Sequence, residues 1–244
     1  MDACRSAIGR PILPELSLRS SLSPSGLLDG GHRAPDERDA PDRNKTSWTR
    51  YRMNYEELCA RSSDINEHLP TLKLLASLCT SVVECGVREV VSSHAFIAGL
   101  PPTGTLTMID PYRSERVAAF LRTTPQATFV QASDLECSLV ETDLLFIDTW
   151  HVYGHLKREL ARWHSSVHKY IALHDTEIDG LRGETLRNKW NPTQQSFETG
   201  IPVHEITKGL QPAIAEFLAD HPEWTTLAHY RNNNGLTILA RVHV

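Results

Sequence analysis

The residues of this 244-residue chain best suited to chemistry are carboxylates and histidines in five short segments: Glu84-Cys85-Gly86, Asp110, Ser133-Asp134, Asp148-Thr149-Trp150-His151 and His174-Asp175. Each follows a short apolar run. An imidazole with an ordinary pKa of about 6.5 can take a proton from a hydroxyl group, so His151, just past the fourth run, is the best candidate general base, with Asp148 beside it. Gly86, two residues after Glu84, leaves room for a ligand to approach the backbone. A G-x-G-x-x-G triplet that would cradle a pyrophosphate is missing, and Glu84 would repel one, which disfavours a nucleotide-dependent oxidoreductase. The pattern better suits a cationic, phosphate-free cofactor, with Asp110 as a bidentate acceptor for ribose hydroxyls. The competing explanation is that aspartates collect in loops and helix caps in any case.

These residues need elements that deliver them to one place. Runs at Ser81–Val87, Thr105–Asp110, Thr128–Ala132, Asp143–Asp148 and Tyr170–Leu173 are nearly continuous in apolar residues, as in strands buried on both faces of a parallel sheet. Amphipathic stretches at Ser92–Gly99, Ser114–Leu121 and Val152–Trp163 alternate with them, the last with Leu156, Leu160 and Trp163 on one stripe and Glu159 among its polar residues. The alternation predicts an α/β, doubly wound, mostly parallel seven-stranded sheet. An antiparallel hairpin, Thr225–Tyr230 and Leu236–Val242 around Asn232-Asn233-Asn234-Gly235, closes it. A helix is expected before the hairpin at Leu210–Ala219, and a helical segment before the first strand at Tyr51–Cys79, with Asp64 as a cap. Residues 177–208 form an excursion of the length of a lid or substrate-binding insertion. In ligand-binding sheets of this kind the site lies outside the carboxyl ends of the strands, where all five acidic segments fall.

Residues 1–43 contain no Phe, Trp or Tyr and are rich in Pro, Gly and Ser, so they read as a disordered tail, with one domain over residues 44–244. Arg5, Arg10 and Arg19 among serines suggest an organellar leader, but Asp2, Glu15 and the acidic stretch from Asp29 to Asp42 argue against it, and a cytoplasmic protein is expected. A net charge of −5 supplies no electrostatic reason to bind nucleic acid or an anionic membrane. Five scattered cysteines without a C-x-x-C pair indicate reduced thiols. The pairs His151/His155 and His164/His168 have zinc-like spacing but no third ligand nearby in sequence, and read as solvated helix faces. Trp150, Tyr153 and Trp163 read as core or pocket wall. A homodimer is allowed but not specified.

Together these residues resemble class I S-adenosylmethionine-dependent methyltransferases over roughly residues 60–242. The likeness is closest to a small-molecule or sugar O-methyltransferase-like branch with D-x-x-H-x-Y and H-D motifs. Here these are Asp148-Thr149-Trp150-His151-Val152-Tyr153 and His174-Asp175-Thr176, joined by Asp64-Ile65-Asn66 and Asn232-Asn233-Asn234-Gly235-Leu236-Thr237. The resemblance implies that S-adenosylmethionine lies with its methionine end at Glu84 and Gly86, its ribose at Asp110 and its adenine amine near Asp134, with Asp148 also bordering it. It implies a magnesium or other divalent ion at Asp148, His174 and Asp175, the alternative being that Asp175 caps a turn and His174 is only hydrogen-bonded. The implied activity is methyl transfer to a hydroxyl of a small molecule, with a sugar or glycoconjugate as candidate acceptor. A catalytically inactive, cofactor-binding scaffold is the alternative, because Val90 or Val91 stands where the family usually has a further glycine.

Overall fold

A computed structural model describes residues 54–242, so the tail expected over residues 1–43 lies outside the described residues. Seven strands form one sheet: β1 (Ser81–Cys85), β2 (Thr105–Ile109), β3 (Ala127–Val130), β4 (Thr142–Ile147), β5 (Val167–His174), β6 (Trp224–Tyr230) and β7 (Leu236–Arg241). Their order is β3-β2-β1-β4-β5-β7-β6. The first five run parallel, while β7 inserts antiparallel between β5 and β6. The doubly wound sheet with its closing hairpin is therefore as predicted, each strand within a few residues of its apolar run.

The continuous apolar runs have the cause assigned to them, since both faces of the sheet are covered. On one face Val82, Leu106, Met108, Leu144 and Phe146 pack against α2 (Leu69–Ser77), α3 (Val91–Gly99) and α4 (Glu115–Thr123). On the other Val83, Cys85, Leu145, Ile147 and Ile171 pack against α5 (Tyr153–Trp163) and α9 (Leu210–Asp220). All six residues of β4 are buried, as befits the strand at the centre of the sheet.

The segment expected to be helical from Tyr51 to Cys79 is divided. α1 (Tyr55–Ala60) is held by a capping box between Asn54 and Glu57, and a 3-10 turn at Asn66–His68 precedes α2. Pro70 in the first turn of α2 explains the break, because a proline is tolerated there and not further in. Asp64 is not a cap. Ser63 Oγ accepts from the Asn66 N–H, and Asp64 pairs with Arg88 at 2.7 Å.

Residues 177–208 contain three short helices, α6 (Glu184–Arg187), α7 (Pro192–Thr199) and α8 (Val203–Ile206). They lie along the carboxyl edge through an Arg182–Lys208 bridge, a Glu184 N–H to His151 O bond of 2.9 Å and a small cluster of Val152, Ile201 and Ile206. The hairpin loop reaches the same edge. Gly235, at φ 98°, passes so close to Glu177 that a Cβ would lie 2.4 Å from its backbone nitrogen. Asn233 receives the Glu67 N–H and donates to Ser63 O, so the hairpin loop is held by the residues flanking Asp64-Ile65-Asn66. No helix among the described residues is long and apolar enough to cross a membrane.

Candidate active site

A cleft of about 640 Å³ opens at the carboxyl ends of β1, β2, β4 and β5. Its glycine is Gly86, at φ 83°, whose N–H donates to Ile109 O. A Cβ there would lie 2.0 Å from the carbonyl oxygen of Asp148, so only glycine lets the loop after β1 pass the end of β4. Asp110 fixes that loop from β2. One carboxylate oxygen accepts from the N–H groups of Val87 (2.9 Å) and Arg88 (3.3 Å), the other from Tyr112 (2.8 Å). The loop's departure from a glycine-rich pattern is located at Arg88 (φ 43°) and Val90 (φ 58°), both left-handed. Such backbone costs on the order of 1–3 kcal/mol per residue. Burial of the Val90 side chain among core residues offsets part of it.

Glu84 departs from the place the sequence assigns it. Expected at the methionine end of a cofactor, it is completely buried on the α3 face, hydrogen-bonded by Ser92 and Ser93, and does not line the cleft. Burial pushes its pKa up to about 8, with the charges of Asp148 and Asp110 adding to the rise and the serine hydrogen bonds opposing it. A folded pKa above the unfolded value means that the native state holds the extra proton, so stability falls as pH rises between roughly 4.3 and the folded pKa. Glu84→Gln should remove that fall, making the variant's advantage over the parent larger at pH 8 than at pH 5. Melting curves at the two pH values check this; parallel pH dependences would refute an uncharged Glu84.

Asp134 lies on the cleft wall, and there it is joined by a residue that the sequence places elsewhere. Glu159 is not on the polar side of α5 but buried, accepting from Thr149 Oγ1 at 2.6 Å and hydrogen-bonded to Asp134. Burial and the Asp134 charge raise the Glu159 carboxyl well above its usual range. Burial opposes ionisation of Asp134, but hydrogen bonds from His155 and Glu159 keep its carboxyl low, so the pair is one acid and one carboxylate. The signal for Glu159 was its spacing: residues 156, 159, 160 and 163 form a single helical stripe. Of the aromatics, Trp150 lines the cleft, Trp163 is core, and buried Tyr153 donates to Glu216.

His151 and His155 are not solvated helix residues either. His151 is buried, with Nε2 3.1 Å from Asp148 and Nδ1 3.0 Å from Asp175, and with Asp179 and Glu184 both 3.6 Å from Nδ1. Burial resists its protonation, yet the hydrogen bonds to Asp148 and Glu184 and the charges of Asp148 and Asp175 hold its pKa well above the ordinary imidazole value. Asp148 is correspondingly ionised: burial would raise its pKa, but His174 and His151 overcome it. Asp175 occupies left-handed backbone at φ 57°, and burial and Asp148 raise its pKa. Arg187 takes both oxygens of Asp179 at 2.7 Å. Glu184, Asp179 and Arg187 come from the excursion, where no periodicity announced them.

The expected metal ligands are only partly brought together. Ligand atoms of Asp148, His151 and Asp175 lie within 4.8 Å of one another. His174 is displaced from this set. It shares a face of β5 with Ala172, so it points toward His68, with ring centroids 5.7 Å apart, and supports Asp148 through Nδ1 at 3.3 Å without lining the cleft. Two carboxylates and one imidazole offering ligand atoms this close together suit a divalent ion once the His151 ring is neutral.

No protein-family model and no curated protein matches this sequence. Similar solved structures include the O-methyltransferase TomG from Streptomyces achromogenes in complex with S-adenosylmethionine, at 16% identity and a TM-score of 0.54, covering 82% of this chain and 92% of that one. An O-methyltransferase from Bacillus cereus in complex with S-adenosylhomocysteine matches at 15% identity and 0.53, over 82% and 93% of the two chains. A Corynebacterium glutamicum protein matches at 16% identity and 0.55, over 83% and 93%. The chain has the fold of class I S-adenosylmethionine-dependent methyltransferases, with its cleft at the sheet edge where open α/β sheets bind ligands.

Proposed function

We propose that this protein transfers a methyl group from S-adenosylmethionine to a hydroxyl group of a small molecule, with a sugar or glycoconjugate as the acceptor class. The observation that carries the reading is His151 set between Asp148 and Asp175 on the wall of a cleft that Gly86 and Asp110 shape. The wall is rich in carboxylates, with Asp64, Glu89, Asp110, Asp134, Asp148, Asp175 and Glu184 against Arg88 and Arg187, which favours a cation over a pyrophosphate. The sugar assignment rests on the likeness of residues 148–153 and 174–176 to that branch.

S-adenosylmethionine, when bound, supplies the methyl group on a cationic sulfur. Asp110 would accept from the ribose hydroxyls, Asp134 would face the adenine amine, and the Gly86 loop would admit the methionine portion. A cationic cofactor beside the carboxylate cluster would favour release of the His151 proton to solvent, leaving a neutral ring that can accept the proton of the acceptor hydroxyl. Asp148 and Asp175 fix the ring and stabilise the imidazolium that results. Most of the rate comes from holding acceptor and methyl donor in line. A divalent ion held by Asp148, His151 and Asp175 would instead lower the acceptor's pKa directly; activity lost on adding EDTA and restored by Mg²⁺ or Mn²⁺ would select that route. Calorimetry with S-adenosylmethionine and S-adenosylhomocysteine, followed by methyl-transfer assays over hydroxylated acceptors, tests the proposal as a whole.

Asp110→Ala is expected to weaken S-adenosylmethionine binding by about 1–3 kcal/mol, the range for leaving polar partners unpaired. Because the same carboxylate also holds the Val87, Arg88 and Tyr112 N–H groups, calorimetry is run well below the variant's melting temperature, and unaltered affinity would remove the ribose assignment. The left-handed Arg88 and Val90 favour one second reading, a cofactor-binding protein without turnover. Tight cofactor binding with no transfer to any acceptor would select it.

A further inference from the structure

We propose that His164, His221 and Glu223 form a binding site for one zinc-type divalent ion, distant from the cleft. The three residues gather where β5 begins and β7 ends, as the Arg241 bond to Val167 O places them, which is the edge of the sheet opposite the strand ends that build the cleft. His164 follows the last residue of α5, His221 follows the last residue of α9, and Glu223 lies in the turn into β6.

Their ligand atoms lie within 4.8 Å of one another. Nδ1 of His221 is 3.3 Å and Nδ1 of His164 3.8 Å from the same Glu223 oxygen. Tetrahedral zinc, with bonds of about 2.0–2.1 Å, sets its ligand atoms about 3.3 Å apart, a spacing that the His221–Glu223 pair already has and that the His164–Glu223 pair reaches by closing a few tenths of an ångström. The two rings, with centroids 4.1 Å apart and planes inclined at 47°, turn the same edge toward the carboxylate. His164 Nδ1 is buried without a hydrogen-bond partner, an arrangement that costs free energy unless something binds there. His221 and Glu223 remain partly exposed, at 28% and 30%, leaving a path for an ion and room for a water as fourth ligand.

Two imidazoles and one carboxylate favour zinc over magnesium, which prefers oxygen alone. Arg241, stacked over Trp224 and donating to Val167 O, raises the local potential, and Glu223 supplies the compensating charge. The ion would clip the ends of α5 and α9 to the start of β6. It is a structural centre, since none of its ligands lines the cleft.

The test is a Co²⁺ titration of the full-length, chelator-treated protein. We expect visible absorption of tetrahedral intensity, displaced by Zn²⁺, together with a melting temperature that Zn²⁺ raises. His221→Ala and Glu223→Gln should each abolish the tetrahedral bands and the part of the Zn²⁺ stabilisation that Asp175→Asn retains. Asp175→Asn, which alters the cleft cluster, should leave them. If His221→Ala does not fold, the partly exposed Glu223→Gln decides the matter. Absence of the bands from the parent protein, their persistence in Glu223→Gln, or their loss in Asp175→Asn would overturn the proposal.

Discussion

His151→Ala should lower kcat by about 10²–10⁴-fold while leaving S-adenosylmethionine affinity nearly unchanged, because a general base acts in the transition state and contributes little to ground-state binding. The electrostatics add a signature that a merely structural histidine would lack. With its pKa held well above 6.5 by Asp148, Glu184 and Asp175, His151 is an imidazolium in the free protein at neutral pH. Only the deprotonated ring accepts a proton, so the rate should climb with pH through that raised pKa, giving an alkaline-shifted limb. Glu184→Gln removes one of the charges that hold the proton, and the limb should move toward lower pH while the fold persists. The stability linkage runs the opposite way. A raised histidine pKa stabilises the native state fully below the unfolded value and the contribution fades as pH rises through the folded one, so the protein should gain activity as it loses this increment of stability. Steady-state rates of parent, His151→Ala and Glu184→Gln across pH 6–10 decide it. A fully active His151→Ala, or a limb indifferent to Glu184→Gln, would remove the base from His151.

Why His151 and Asp148 were legible in the sequence and Glu184 was not follows from how each is placed. A strand that is apolar on both faces declares itself over five or six residues, and the residue just after it must lie at the sheet's edge. The apolar runs therefore place Asp110, Asp134, Asp148 and Asp175 at that edge, and all four line the cleft. Side-chain direction is a finer matter. Glu84 and His174 belong to strands, where alternation sends neighbouring residues to opposite faces. One ends under α3 and the other against His68 rather than in the cleft. Glu159 violates the rule that an apolar stripe carries no charge, and it does so because Asp134 lets it keep its proton. The excursion carries almost no periodic signal, so nothing in its sequence alone could bring Glu184, Asp179 and Arg187 to His151. The His164–His221–Glu223 group has the same origin: its third ligand lies some 59 residues beyond the first, joined only by the packing of α5 against α9.

Gly86→Ala should be the most damaging single-methyl change in the described part of the chain. Left-handed backbone costs an alanine about 1–2 kcal/mol, and forcing a methyl into a packed site adds about 1–3 kcal/mol. The obstruction here is the Asp148 carbonyl at 2.0 Å, main chain that no rotamer change can move aside. A total loss of about 2–5 kcal/mol is a large share of a typical stability of about 5–15 kcal/mol. Gly200, at φ 71°, supplies the control: nothing lies within 4 Å of its would-be Cβ, so Gly200→Ala should incur only the backbone part. Urea unfolding of the two variants then separates conformational strain from collision. The collision has a functional consequence as well. Relief requires the β1 loop and the end of β4 to part, which moves the Val87 and Arg88 N–H groups off Asp110 and shifts Asp148 relative to His151. Gly86→Ala should thus lose cofactor affinity even at temperatures where it remains folded, whereas Gly200→Ala should retain it. Equal destabilisation of the two variants, or full cofactor affinity in a folded Gly86→Ala, would mean that the approach of this loop to Asp148 does not shape the cleft.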